Sequence, residues 1–113
     1  MSIFIEGGAP MMGTVSISGS VNSTTKLIIA SMFSNEDVIL NNVPRVQSVE
    51  ADIELIESVG GKAEWVGSNT LSLNGSQIST YEIPLEVGRK YRTASLLAGI
   101  LLFRFGKASI PKY

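Results

Sequence analysis

The polar and apolar positions of this chain change rhythm several times. In "TVSIS", Val15 and Ile17 alternate with Thr14, Ser16 and Ser18, the period of a half-buried strand. "IFIE" at 3–6 predicts a shorter strand, and Gly7-Gly8-Ala9-Pro10 a turn after it. "LIIASMF" is apolar without a break, which predicts a buried helix running to about Phe33. Asn22 or Ser23 is placed to cap that helix, because a short side-chain oxygen accepts an orphan backbone N–H. "NED" at 35–37 closes it. "VILNNV" at 38–43 then predicts a strand that Pro44 stops.

The clearest periodicity comes next. Val49, Ile53, Ile56 and Val59 fall at i, i+4, i+7 and i+10, one face of a helix. Ser48 is its predicted N-cap and Gly60 its C-terminal stop. Glu50, Asp52, Glu54 and Glu57 lie mostly off the apolar face and read as a solvated surface. "KAEWV" and "TLSLN" predict a hairpin turned by Gly67-Ser68-Asn69, with Ala63 and Trp65 on one face and Leu71 and Leu73 on one face of the partner. Trp65 and Tyr91 read as packing residues. A polar connection with Pro84 and Gly88 leads to a very apolar third helix from about Arg92 to Phe103. "ASIP" at 108–111 predicts a last strand. Strands and helices alternate, so the expected class is α/β or α+β, with helices against a mixed sheet.

Composition narrows the function. Of 113 residues, 44% are apolar and 17% charged, where a soluble domain carries about 25% charged residues. The deficit predicts that part of the surface is covered by something else. The net charge of −1 gives no overall basic field for nucleic acid or an acidic membrane. Cysteine and histidine are absent, which removes disulfides, Cys/His metal sites, a thiol nucleophile and an imidazole base. The N-terminus lacks the pattern of a signal peptide. The run "LLAGILLF" is far below the about 20 residues that span a bilayer. The expectation is a soluble, cytoplasmic protein.

Two stretches carry candidate chemistry. "SGSVNSTTK", Ser18–Lys26, joins a strand to a helix, and a helix N-terminus with free N–H groups binds anions. It has one glycine and no Gly-Lys-Ser/Thr, so it is not a P-loop. Taken alone, the stretch is better explained by helix capping, and its spacing does not decide the matter. "GRKYRTAS", Gly88–Ser95, sets Arg89, Lys90 and Arg92 before an apolar helix. A cation on a first helical turn opposes the dipole, which hints at a bound anion. The alternative is a solvated cluster paired with Glu82 or Glu86.

Three separated segments resemble one family in the right order: "GTVSISGSVNS", "VILNNVPRVQSVEADIELIESVGGK" and "YRTASLLAGILLFRFGKASIP". They are similar to the N-terminal part of the UDP-N-acetylglucosamine 1-carboxyvinyltransferase family, the enolpyruvyl transferases of early peptidoglycan synthesis. The shikimate-pathway enolpyruvyl transferases share the fold; Asn22 and "RFG" at 104–106 favour the sugar-nucleotide branch. The resemblance implies transfer of an enolpyruvyl group from phosphoenolpyruvate to a sugar 3-hydroxyl, by addition and elimination of phosphate. It implies no metal and no organic cofactor. It carries over Asn22 as a substrate contact and Arg92 as a contact to the nucleotide-sugar and its phosphates, and no catalytic residue.

The resemblance also implies a partial α/β prism, an inside-out barrel of strand–helix repeats around buried helices. Residues 1–20 would be a strand pair that packs with a second domain, and 21–113 the N-terminal part of the first. The chain reads as truncated after Lys112-Tyr113, so the remainder of its own chain is an expected partner, with no nucleic acid or membrane. Several positions depart from the pattern. Val21 replaces the lysine that meets phosphoenolpyruvate, and Lys26 lies about 140° further around an ideal helix. Ser48 replaces an aspartate, Thr93-Ala94 replace Ala-Ser, and Ile100 replaces a proline. A non-catalytic nucleotide-sugar-binding or structural paralogue is the alternative that Val21 favours. An unrelated interaction domain is the third.

Overall fold

The computed structural model describes residues 1–112. Tyr113, where the sequence ends, lies outside them. The order is α1 (Val21–Ser31), β1 (Val38–Leu40), α2 (Gln47–Glu57), β2 (Lys62–Trp65), β3 (Leu71–Asn74), α3 (Leu85–Lys90), a 3-10 helix (Arg92–Leu97) and α4 (Ala98–Phe105). The three strands form one antiparallel sheet in the order β1-β3-β2, with Val38 opposite Leu73 and Ala63 opposite Leu73 on the other side. The mixed sheet expected from the sequence is therefore antiparallel, and the one parallel pairing is an isolated bridge between Glu82 and Ser109. That bridge is all that forms of the strand predicted at 108–111.

The sheet puts Leu71 and Leu73 inward, and Val38, Leu40, Ala63 and Trp65 flank them, as alternation requires. Ile28 and Met32 of the first helical segment, Val49, Leu55, Ile56 and Val59 of the second, and Leu97, Ile100 and Leu101 of the last complete the core. Helix α2 ends where glycine permits it. Gly60 has φ +107°, and a Cβ there would lie 2.4 Å from the Gln77 carbonyl oxygen.

Several expectations give way to local geometry. The cap of α1 is Ser20: its hydroxyl accepts the Ser23 N–H at 3.2 Å, so the helix starts before Asn22. Helix α2 begins at Gln47 behind Val46 with no side-chain cap, so Ser48 is inside it. β1 stops at Leu40 because Asn42 takes a left-handed φ of +54°, which asparagine tolerates, and turns the chain. Val43 and Asn69 then lock that turn to the hairpin loop, with Val43 N–H to Asn69 O at 2.8 Å and Asn69 Nδ2 to Val43 O at 2.9 Å. The segment read as a polar connection contains α3. The third helix is split into a 3-10 turn and α4, and Gly106 in the left-handed region ends it.

Residues 1–18 are exposed along their whole length and form no strand, although Ile3, Ile5, Val15 and Ile17 have the expected pattern. A strand needs a neighbour to satisfy its backbone, and a lone two-stranded hairpin is marginal in water. The extended segment raises the radius of gyration to 17.6 Å, against about 13 Å for a compact chain of this length. The helices are also less enclosed than their composition suggests. Leu27, Phe33, Leu96, Leu102 and Phe103 remain exposed, with the Phe33 and Phe103 rings tilted against each other at 5.2 Å between centroids. No helix is long and apolar enough to cross a membrane among the described residues.

Candidate functional site

A cleft of about 480 Å³ opens where three chain segments meet. The first turn of α1 supplies Val21, Asn22 and Thr25; the start of α2 supplies Gln47, Ser48, Ala51 and Asp52; the junction of α3 with the 3-10 helix supplies Lys90, Tyr91, Arg92 and Thr93. Asn22 and Arg92, distant in sequence, thus line one concavity. So do Val21, Ser48 and Thr93. A concavity of similar size, about 460 Å³, lies along the sheet and is lined by Asp37, Glu57, Glu64 and Lys62, a mostly acidic wall unsuited to an anion.

The first wall is held by the segment 18–20 that leads into α1. Gly19 crosses Asn42 so closely that a Cβ would stand 1.9 Å from the Asn42 carbonyl oxygen. The glycine is demanded by that crossing, and Ser20 caps the helix. Asn22 follows, exposed at the electropositive end. Capping and an open face at Asn22 coexist, so the two readings of the stretch do not compete. Lys26 does not line this cleft; it faces a neighbouring surface hollow with Asn22, Ser23 and Leu27. It therefore does not enter the cleft beside Val21, as its angle around the helix predicts.

On the second wall the cations part company. Lys90 Nζ sits 3.1 Å from Glu54 Oε2, and the Tyr91 hydroxyl donates to the same carboxylate. The Tyr91 hydrogen bond, then Lys90, hold the Glu54 carboxyl below its ordinary range, and Tyr91 and Glu54 raise Lys90. Arg92 is exposed and makes no salt bridge among the described residues. The pairing with Glu82 or Glu86 does not form. Lys90 turns instead to a carboxylate on α2, because α3 packs there. Arg92 opens the 3-10 helix with no acid in its first turn. It is a charged fork beside the cleft without a carboxylate to neutralise it.

The acidic face of α2 is not simply solvated. Asp52 is 1% exposed, and its Oδ2 accepts the Thr25 hydroxyl at 2.6 Å. Burial pushes its carboxyl above the ordinary value, against the opposing Thr25 hydroxyl, Thr93 hydroxyl and Lys26 charge. Periodicity missed Asp52 because it weighs apolar residues only. Glu50 accepts from Trp65 Nε1 at 3.1 Å, and Arg45 lies 4.6 Å over the indole, so Trp65 is a packing residue. No cluster of three metal-binding side chains occurs among the described residues.

The sequence profile of EPSP synthase (3-phosphoshikimate 1-carboxyvinyltransferase) matches residues 5–112. The chain belongs to the EPSP synthase family. Within that family it is 38% identical over 107 residues to UDP-N-acetylglucosamine 1-carboxyvinyltransferase of Bradyrhizobium diazoefficiens, and 36% identical over 107 residues to that of Treponema denticola. Each alignment covers 95% of this chain and 25% of the relative, so the chain spans about a quarter of the length of these curated relatives. Its fold is similar to the enolpyruvyl transferase NikO from Streptomyces tendae, with a TM-score of 0.71 at 23% identity over 88% of this chain and 23% of that one. The α/β class and the enolpyruvyl-transferase resemblance are both borne out.

Proposed function

We propose that this EPSP synthase family chain is the N-terminal part of an enzyme that moves an enolpyruvyl group from phosphoenolpyruvate to the 3-hydroxyl of UDP-N-acetylglucosamine. The reaction belongs to early peptidoglycan synthesis in the cytoplasm. The observation that carries the reading is the meeting of Asn22 and Arg92 in one cleft. An exposed amide at a helix N-terminus shares the cleft with a guanidinium that has no ion-pair partner among the described residues, an arrangement suited to a phosphate-bearing sugar. The names of the relatives in the sugar-nucleotide branch support the same substrate. The chain's part in catalysis is to bind and orient: Asn22 meets the substrate, and Arg92 grips the phosphates of the nucleotide-sugar through two parallel N–H bonds.

The rest of such an enzyme would cover what this chain leaves bare. Residues 1–20 would gain their strand partners from a second domain. The apolar face of Leu27, Phe33, Leu102 and Phe103 would pack under the remainder of the first.

Arg92→Ala is the decisive substitution. Loss of a hydrogen-bonded charge weakens binding by about 1.5–3 kcal/mol, or roughly 10- to 150-fold in Kd. Thermal stability should hardly move, since Arg92 is exposed and makes no salt bridge among the described residues, and Arg92→Lys should recover part of the loss. Titrating UDP-N-acetylglucosamine by calorimetry reads this out; equal affinities would remove Arg92 from the site.

Val21 favours a second reading, a nucleotide-sugar-binding paralogue without turnover. It lines the cleft with an aliphatic side chain, Lys26 points elsewhere, and Lys90 is held by Glu54.

A further inference from the structure

Asp52 has no place in the reading above, yet it is the one buried carboxyl of the chain's described residues. A buried carboxyl is costly unless it is hydrogen-bonded, so its partners explain its presence. The partners come from the two walls of the cleft. Thr25 of α1 donates its hydroxyl at 2.6 Å, in preference to the Val21 carbonyl at 3.4 Å. Thr93 of the 3-10 helix lines the cleft together with Asp52, and its hydroxyl opposes the upward shift of that carboxyl. Thr25 is three residues, about one turn, from Asn22, and Thr93 is adjacent to Arg92.

We propose that Asp52 is a positioning residue: through Thr25 and Thr93 it fixes the turn that carries Asn22 against the segment that carries Arg92, and so sets the span of the cleft. Asp52 lies at the floor of the cleft with 1% of its surface exposed, and its Oδ2 is already taken by the Thr25 hydroxyl. Its two hydroxyl partners are the shortest covalent routes to the two candidate contacts. Without it, no side-chain hydrogen bond among the described residues would join α1 to α2, leaving apolar packing, which resists sliding less than a directional bond does. The charge that acts on Asp52 from α1 is that of Lys26, at longer range, and from the 3-10 helix the Thr93 hydroxyl. No second carboxylate acts on it among the described residues.

The ligand arm of the test rests on the proposed function; the ligand-free arm does not. In the full chain, UDP-N-acetylglucosamine is titrated by calorimetry into the wild type, Asp52→Ala and Asp52→Asn, each also in an Arg92→Ala background. Asp52→Ala should weaken binding about tenfold, the scale of coupled neighbours. Asp52→Asn keeps an oxygen for the Thr25 hydroxyl and should restore most of it. The loss should shrink in the Arg92→Ala background, since the group being positioned is gone. A loss of the same size in both backgrounds, or none, overturns the proposal. The second arm needs neither variant nor ligand. Backbone amide resonances of Asn22 and Arg92 are followed while the wild type is titrated through the carboxylate range. Both should move with the midpoint of the Asp52 carboxyl carbon; independence overturns the proposal. If the amides track Asp52 and the wild type binds no UDP-N-acetylglucosamine, the substrate assignment fails while the positioning role stands.

Discussion

Arg104→Ala removes a clamp that holds the end of α1 to α4. Arg104 Nη2 donates to the Met32 carbonyl at 2.7 Å, Nε donates to the same oxygen at 3.2 Å, and Nη2 also reaches the Ser34 carbonyl at 3.3 Å. Met32 is 0% exposed, so water cannot readily replace the fork. The two bonds share one acceptor and count as a single charge-assisted contact, worth about 1.5–3 kcal/mol. A cation beside a helix C-terminus adds about 0.3–1 kcal/mol. The expected loss is about 2–3 kcal/mol, a large share of the about 5–15 kcal/mol that stabilises a domain. In melting temperature that is about 10–15 °C for a chain of this size. Thermal unfolding followed by far-UV circular dichroism measures it. Arg104→Lys keeps the charge but not the planar fork and should recover about half. A fall under about 3 °C for Arg104→Ala would mean the fork is an ornament of the surface, and the reasoning fails.

Val21→Lys should raise phosphate release from phosphoenolpyruvate in the presence of UDP-N-acetylglucosamine, because it adds a charge-assisted contact at the cleft. It should cost about 0.3–1 kcal/mol of stability, as a cation at a helix N-terminus. Unchanged turnover in a folded variant would speak for the paralogue without catalysis. The raised carboxyl of Asp52 binds its proton more tightly in the folded state than in the unfolded one. Its contribution to stability is therefore full below the unfolded value and is lost as pH rises through the folded value. The melting temperature of the wild type relative to Asp52→Asn should accordingly fall as pH rises across that window, and a flat difference would contradict the assignment. The exposed side chains Ile3, Phe4, Ile5, Phe33, Leu102 and Phe103 should bind an environment-sensitive apolar dye at neutral pH; no fluorescence gain would show that this face is closed in solution.

Local pattern determined much of this protein. The alternation of "KAEWV" and "TLSLN" with a Gly-Ser-Asn turn left little but a hairpin, and β2 and β3 pair in that register. The spacing of Val49, Ile53, Ile56 and Val59 placed the buried face of α2, and all four are buried. Three ordered motifs were enough to point to the family. These signals are legible because they depend on near neighbours, whose geometry period and turn chemistry dictate.

What the tertiary structure alone decided are the contacts between distant segments. Asn22 and Arg92 come together only because α1 and the α3 junction both pack on α2. Lys90 finds Glu54 while Arg92 has no salt bridge among the described residues, a division that spacing in "GRKYR" cannot express. Asp52 reads as a solvated acid from its own helix and is buried once α1 lies against it. The reverse happens at residues 1–18, where good strand pattern yields no strand, because backbone pairing is supplied by a neighbour and never by the segment itself.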